Sequence, residues 1–321
     1  MTPLLPRPYE SPAIRVWNVM IGRLCSALLL ISLPAAAAEE DLNAPPLVTA
    51  KAWAIAEGGS GKLLWGGHAE VCSKSASTTK MMCAFTVLKL AESDPAVLAE
   101  TITYSKLAGS TAGSTSEVKT GESLSVRDAL YALLLPSGND AGNALAEHFN
   151  KQFAPPDAAL LKLGLSNPAL ASRVNFIAEM NRHARAIGMT DTVYRASFGD
   201  GGKAEDRTTT ARDLCLLAAT AMKNPVFREM VATQQLEGSI TKTDGSTRKQ
   251  KWENTNPLLK LDLGYDGIKT GMTNQAGHCL VASGHRGSDH LIVAVLGCVD
   301  EAARSADIRN LFRWAWRMRG K

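Results

Sequence analysis

Apolar positions along this chain recur in two textures, and the change between them divides it. Residues 48–72 (VTAKAWAIAEGGSGKLLWGGHAEVC) read as two strands around a Gly-Ser-Gly turn. A helical period follows in SASTTKMMCAFTVLKLAE, residues 75–92. It predicts a helix from Ser77 to about Glu92 that is apolar on nearly every side. Residues 100–125 are polar and turn-rich. SVRDALYALLL then predicts a helix capped by Ser125; Pro136 ends it, and another begins in PSGNDAGNALAEHFN. Helical patterns continue over 172–187 and 209–222. Beyond 230 the period shortens. GSITKTDGSTRKQKW predicts strands joined by an Asp-Gly turn, and YDGIKTGMT, HCLVASGHR and HLIVAVLGC are strand-like runs punctuated by glycine. The last 21 residues return to a helix. Strands at both ends and helices between them predict an α/β fold with one sheet drawn from both ends of the chain and a helical region inserted.

The N-terminus modifies that picture. Arg7, Arg15 and Arg23 precede a short apolar core, LCSALLLISL, and the small residues of PAAAAEE. This is the order of a secretory signal peptide, with cleavage expected near Ala38. The expected division is 1–38 as leader and 39–321 as one catalytic-sized domain, its sheet part about 45–76 and 230–321 and its helical part about 77–229. Removing three arginines and Glu10 takes the formal charge from +4 to +2. That balance, without long basic clusters, points away from nucleic acid. No later run is long and apolar enough to suggest a membrane span. The C-terminal Arg309, Arg313, Trp314, Trp316, Arg317 and Arg319 have the makings of a membrane-surface face, but a core helix is the preferred reading. Five cysteines remain in the mature chain, an odd number without C-x-x-C spacing, and read mainly as small core residues.

Candidate chemistry begins with Ser77 and Lys80, an S-x-x-K pair one helical turn apart. The same spacing occurs at Ser116/Lys119, Ser239/Lys242 and Ser246/Lys249, so spacing alone selects nothing. Only Ser77 heads a long apolar helix, where free N–H groups favour developing negative charge and i, i+3 side chains share a face. Ser137-Gly138-Asn139 follows between two helices. Lys-Thr-Gly occurs at 119–121 and again at 269–271, the second copy on a predicted strand whose glycine permits close approach of backbone. Gly61-Lys62 lacks the Ser/Thr of a phosphate loop, and the histidines show no paired ligand spacing, so neither metal nor organic cofactor is expected.

These three elements, with ASTTKMM, VRDALYALLLPSGNDAGNALAE, TTTARDLCLLA, NTNPLL, DGIKTGMTNQAGHCLVAS and NLFRWAW in that order, resemble the serine D-alanyl-D-alanine carboxypeptidases, or low-molecular-weight penicillin-binding proteins. The likeness extends over roughly residues 45–317. It implies a β-lactamase/transpeptidase-like fold: an antiparallel sheet from both chain ends, flanked by helices, with an inserted helical subdomain. It implies an exported, periplasmic enzyme that removes the terminal D-alanine of peptidoglycan stem peptides through a Ser77 acyl-enzyme, with β-lactams as acylating inhibitors. Lys80 is the expected base, made neutral by burial and by the second cation, Lys269. Ser137 is expected to relay a proton and Asn139 to hold Lys80 or a substrate amide. The resemblance implies an oxyanion hole from the backbone N–H groups of Ser77 and Met272. It also implies a carboxylate site from Thr270 and Arg304, beside Gly271. Met272 replaces a histidine found in many relatives, which leaves only a backbone role there. A small C-terminal β-domain and amphipathic membrane helix, present in many relatives, are not expected, nor is a stable membrane anchor. The alternatives are a DD-endopeptidase cutting cross-links, a β-lactamase (disfavoured by the S-G-N element), and a non-catalytic penicillin-binding sensor.

Overall fold

The computed structural model describes residues 43–199 and 208–321; the expected leader lies outside the described residues. β1 (Ala52–Glu57) and β2 (Leu63–Gly67) form an antiparallel hairpin. A 3-10 turn over Ala76–Thr79 leads into α1 (Lys80–Ser93). The middle of the chain supplies β3 (Thr101–Thr103), α2 (Lys106–Gly109), β4 (Ser123–Ser125), α3 (Val126–Leu134), α4 (Asn139–Phe149), α5 (Ala158–Leu160), α6 (Val174–Ala186), α7 (Ala211–Ala221) and α8 (Pro225–Ala232). Then come β5 (Gln235–Thr241), β6 (Thr247–Glu253), β7 (Tyr265–Thr273), β8 (Gly277–Arg286), β9 (Asp289–Cys298) and α9 (Glu301–Met318).

The main sheet has the order β2-β1-β9-β8-β7 and is antiparallel throughout, so both ends of the chain build it. Strand alternation sends Ile55, Leu280, Ala282 and Val293 to one face, under Ile308, Leu311 and Phe312 of α9. Ala54, Ala56, Val281, Ile292 and Ala294 face the other way and join one core with α1 and α7. This sandwiching explains α1: Met81 through Leu88 are all buried because other elements pack around the helix on every side. Trp314 and Trp316 are likewise buried against the sheet, which removes them from any membrane-binding face.

Two expectations need correction. The hairpin β5–β6 does not extend the main sheet. It forms a second, four-stranded sheet, β3-β4-β5-β6, through the pairing of Ser123 with Thr241. The hairpin is largely exposed, anchored by the buried Ile240 and by Trp252, whose Nε1 donates to Ser116 O at 2.8 Å. Two strands of that sheet, β3 and β4, come from the 100–125 segment; each is three residues long, too short for a period to show. The second correction is local. The α-helix begins at Lys80, and Ser77 sits in the tighter turn before it. Ser125 caps α3 as its sequence position predicts, accepting from Asp128 N at 3.0 Å. Among the described residues four of the five cysteines are buried and Cys72 is half-buried.

Candidate active site

Two separate segments meet at one buried amine. Lys80 Nζ lies 2.7 Å from Ser77 Oγ, 3.3 Å from Ser137 Oγ and 2.7 Å from Asn139 Oδ1. The first residue of α1 is thus fully buried, although it carries the most polar side chain of its turn. The Asn139 side chain is oriented by its other end, since Nδ2 donates to Ala112 O at 2.8 Å. With the amide nitrogen committed, the oxygen must face the lysine.

Backbone conformation aims the hydroxyls. Ser137 adopts φ +67° and Ala76, immediately before Ser77, φ +48°. Such left-handed residues other than glycine cost about 1–3 kcal/mol each and persist where surrounding structure dictates them. Asp140 supplies part of that dictation. It is buried beside the Ser137 turn and accepts from Ser116 N at 2.9 Å, Ser116 Oγ at 2.8 Å and Thr115 Oγ1 at 2.9 Å. The decoy S-x-x-K serine, Ser116, is therefore a strut behind the site.

β7 closes the opposite side. Lys269 is buried, and its Nζ donates to Thr270 O at 3.1 Å. Thr270 Oγ1 lies 2.6 Å from Thr255 Oγ1. Gly271 runs so close to the Ser77 turn that a Cβ there would sit 2.9 Å from both Ser75 O and Ser77 N. That approach is the physical need for glycine in the third element. The Met272 side chain, by contrast, is exposed. Arg304, in the first turn of α9, is 4% exposed, which excludes a merely solvated charge. Its guanidinium donates to Glu301 Oε1 at 3.0 Å, while its buried Nε has no hydrogen-bond partner.

Electrostatics favour a neutral amine at the centre. Burial lowers the Lys80 pKa well below its ordinary value, and the charge of Lys269 lowers it further; Cys83 and Asp140 oppose the shift only in part. Burial, then the neighbouring Arg304, lowers Lys269 to about 7. A lone pair on Lys80 can then accept the Ser77 proton at 2.7 Å, within the reach a general base requires.

The structure brings Ser77, Lys80, Ser137 and Asn139 into contact, and lays Lys269, Thr270, Gly271 and Arg304 along the adjoining strand and helix. Sequence reasoning missed four participants. Ala112 fixes Asn139, and Asp140 fixes the loop before it. Thr255, within NTNPLL, holds Thr270. The Phe198 ring lies 5.9 Å from Lys80 Nζ and adds an apolar wall. Asp140 was adjacent to a recognised element and Thr255 inside one. Phe198 carried no local signal.

Known proteins share this arrangement of segments. Residues 39–154 and 162–300 match the sequence profile of the D-alanyl-D-alanine carboxypeptidases of peptidase family S11. A D-alanyl-D-alanine carboxypeptidase from Streptomyces sp. (strain K15) is 31% identical over 302 residues, 93% of this chain and 96% of that protein. D-alanyl-D-alanine carboxypeptidase DacC of Escherichia coli (strain K12) is 31% identical over 299 residues, 91% of this chain and 67% of its own length. The crystal structure of the Streptomyces K15 DD-transpeptidase superposes with a TM-score of 0.74 at 31% identity, covering 85% of this chain and 99% of that one. By its profile, its relatives and its fold, the chain belongs to the D-alanyl-D-alanine carboxypeptidase family.

Proposed function

We propose that this protein is a serine DD-carboxypeptidase, exported from the cytoplasm, that removes the terminal D-alanine from peptidoglycan stem peptides and is acylated by β-lactams. The observation that carries the reading is the 2.7 Å approach of a desolvated Lys80 amine to Ser77 Oγ. Ser77 Oγ attacks the carbonyl between the two D-alanines as its proton passes to Lys80 Nζ. The oxyanion is held by the backbone N–H groups of Ser77 and Met272. When the C–N bond breaks, Lys80 returns the proton through Ser137 to the leaving amine, leaving an ester on Ser77. Water then hydrolyses that ester by the same groups acting in reverse.

Substrate choice rests on the terminal carboxylate. Thr270 offers a hydroxyl, Lys269 a charge and Arg304 a buried guanidinium with an unused Nε–H. Because Lys269 is held at about 7, an arriving anion restores its proton and tightens the grip. Among the described residues no helix is long and apolar enough to cross a membrane.

A second reading has one specific support: the solved relative is named a transpeptidase. The acyl-enzyme would then pass to an amine instead of water. Mass spectrometry of monomeric pentapeptide, an added acceptor amine and cross-linked dimers separates the outcomes. Loss of one alanine establishes the carboxypeptidase; an amide product moves the assignment to transpeptidase; dimer cleavage with pentapeptide untouched moves it to endopeptidase. A protein that binds penicillin but changes none of these is a sensor.

A further inference from the structure

At the other end of β7 from the Thr270 edge, three strands present a second set of polar groups that the reaction does not use. Asp266 on β7, His285 on β8 and His290 on β9 each offer a ligand atom, and these atoms lie within 4.8 Å of one another. Among the described residues this is the one such group of three. No sequence motif announces it. His285 and His290 are brought opposite each other by the register of the β8–β9 hairpin, and Asp266 arrives from the adjoining strand.

We propose that Asp266, His285 and His290 bind a divalent transition-metal ion of the zinc class. Two imidazoles and one carboxylate match that borderline chemistry, and they leave a fourth position for water. The local structure favours an ion in two respects. Asp266 Oδ2 lies 3.1 Å from His285 Nε2, but Asp266 Oδ1 is closed off from solvent and has no hydrogen-bond partner. A cation is the partner such an oxygen lacks. The imidazoles stack with centroids 4.0 Å apart and 13° between their planes, so one ring must turn before both in-plane lone pairs can meet one ion. Ser283 Oγ sits 2.9 Å from His290 Nε2 and fixes that ring from outside, as outer partners of metal-bound histidines do.

His290 also has a backbone accommodation. Its ring lies over Gly58 so closely that a Cβ there would come within 2.2 Å of it. Bonds of about 2.0–2.1 Å to a tetrahedral ion place donors roughly 3.3 Å apart, so the cluster must contract. His285 supplies the movement: its side chain is 45% exposed, and turning exchanges its stack on His290 and its contact with Asp266 Oδ2 for the ion. The bound ion would tie three strands of the main sheet together, three residues upstream of Lys269.

The test titrates chelator-treated protein with Zn²⁺ by calorimetry and with Co²⁺ by visible absorption. One ion per chain is expected, with a ligand-field band from Co²⁺ and a higher thermal midpoint with Zn²⁺. His285→Ala, at an exposed position, and Asp266→Asn, which keeps side-chain shape, should each weaken binding about tenfold or more. Binding unchanged in both variants, or none at roughly millimolar Zn²⁺, overturns the assignment. Penicillin acylation of the metal-free protein, which depends on Ser77, reads the catalytic proposal separately.

Discussion

Asn139 grips Lys80 with its amide oxygen at 2.7 Å while its amide nitrogen is held by Ala112 O at 2.8 Å. A neutral acceptor at this place orients the lysine without adding a negative charge that would favour its protonated form. Asn139→Asp should therefore raise the Lys80 pKa, shift the acid limb of penicillin acylation to higher pH, and lower the rate at neutral pH. The loss expected of a disabled general base is about 10²–10⁴-fold. Acylation rates measured between pH 5 and 9 check this; an unmoved limb would mean that Lys80 does not accept the proton.

The two buried lysines link stability to pH. Lys269 is held at about 7 against an ordinary value of 10.5, and Lys80 is lowered in the same direction. Between those limits the unfolded chain binds more protons than the folded one, so this contribution to stability rises with pH. The cost of burying Lys269 is full below its folded pKa and vanishes above the unfolded value. Lys269→Met should raise the urea midpoint at pH 6 relative to the parent protein, with the difference shrinking toward pH 10. A constant difference would remove the linkage.

Gly271→Ala tests the contact between β7 and the Ser77 turn. The added methyl meets backbone atoms at 2.9 Å, so strand and turn must separate. A displacement of about 1 Å is enough to cost roughly 10²-fold in rate. Stopped-flow acylation should show that loss in a protein that remains folded by circular dichroism.

Ser116→Ala is the converse. It removes one of the hydrogen bonds to buried Asp140 at the decoy S-x-x-K position. Stability should fall by about 1–2 kcal/mol, while labelling by fluorescent penicillin persists. Ser77→Ala should abolish labelling. Equal labelling of the Ser77→Ala protein would dismiss the nucleophile.

Thr255→Val leaves the Thr270 hydroxyl without its 2.6 Å partner. If that hydroxyl orients a substrate carboxylate, KM for the pentapeptide should rise several-fold, about 1 kcal/mol of binding, with kcat little changed. A fall in kcat at constant KM would assign the pair to chemistry.

Much of this was legible in the chain. The apolar run behind Lys80 pointed to a helix built for burial, and the glycine-punctuated, strand-like runs near the C-terminus pointed to a sheet shared by both ends of the chain. The pairing of the β5–β6 hairpin was not legible, because its few inward residues fit a smaller sheet as well as the main one. Ser77, Lys80, Ser137 and Asn139 stood out through the order of their motifs. Thr255 and Phe198 did not, since each acts through contacts fixed only by tertiary packing. The Asp266–His285–His290 group was invisible for a related reason: strand register, not spacing along the chain, brings it together.

The close passage of Gly271 beside Ser77 also bears on biogenesis. Ser77, Lys80 and Ser137 all lie in the first half of the chain, yet Gly271, which passes against the Ser77 turn, is synthesised near its end. A growing polypeptide thus carries a complete set of reactive side chains long before it has a cleft to use them in. Under the proposed function, acylation by a β-lactam is expected only of the finished molecule, and covalent labelling would then report chains that have closed.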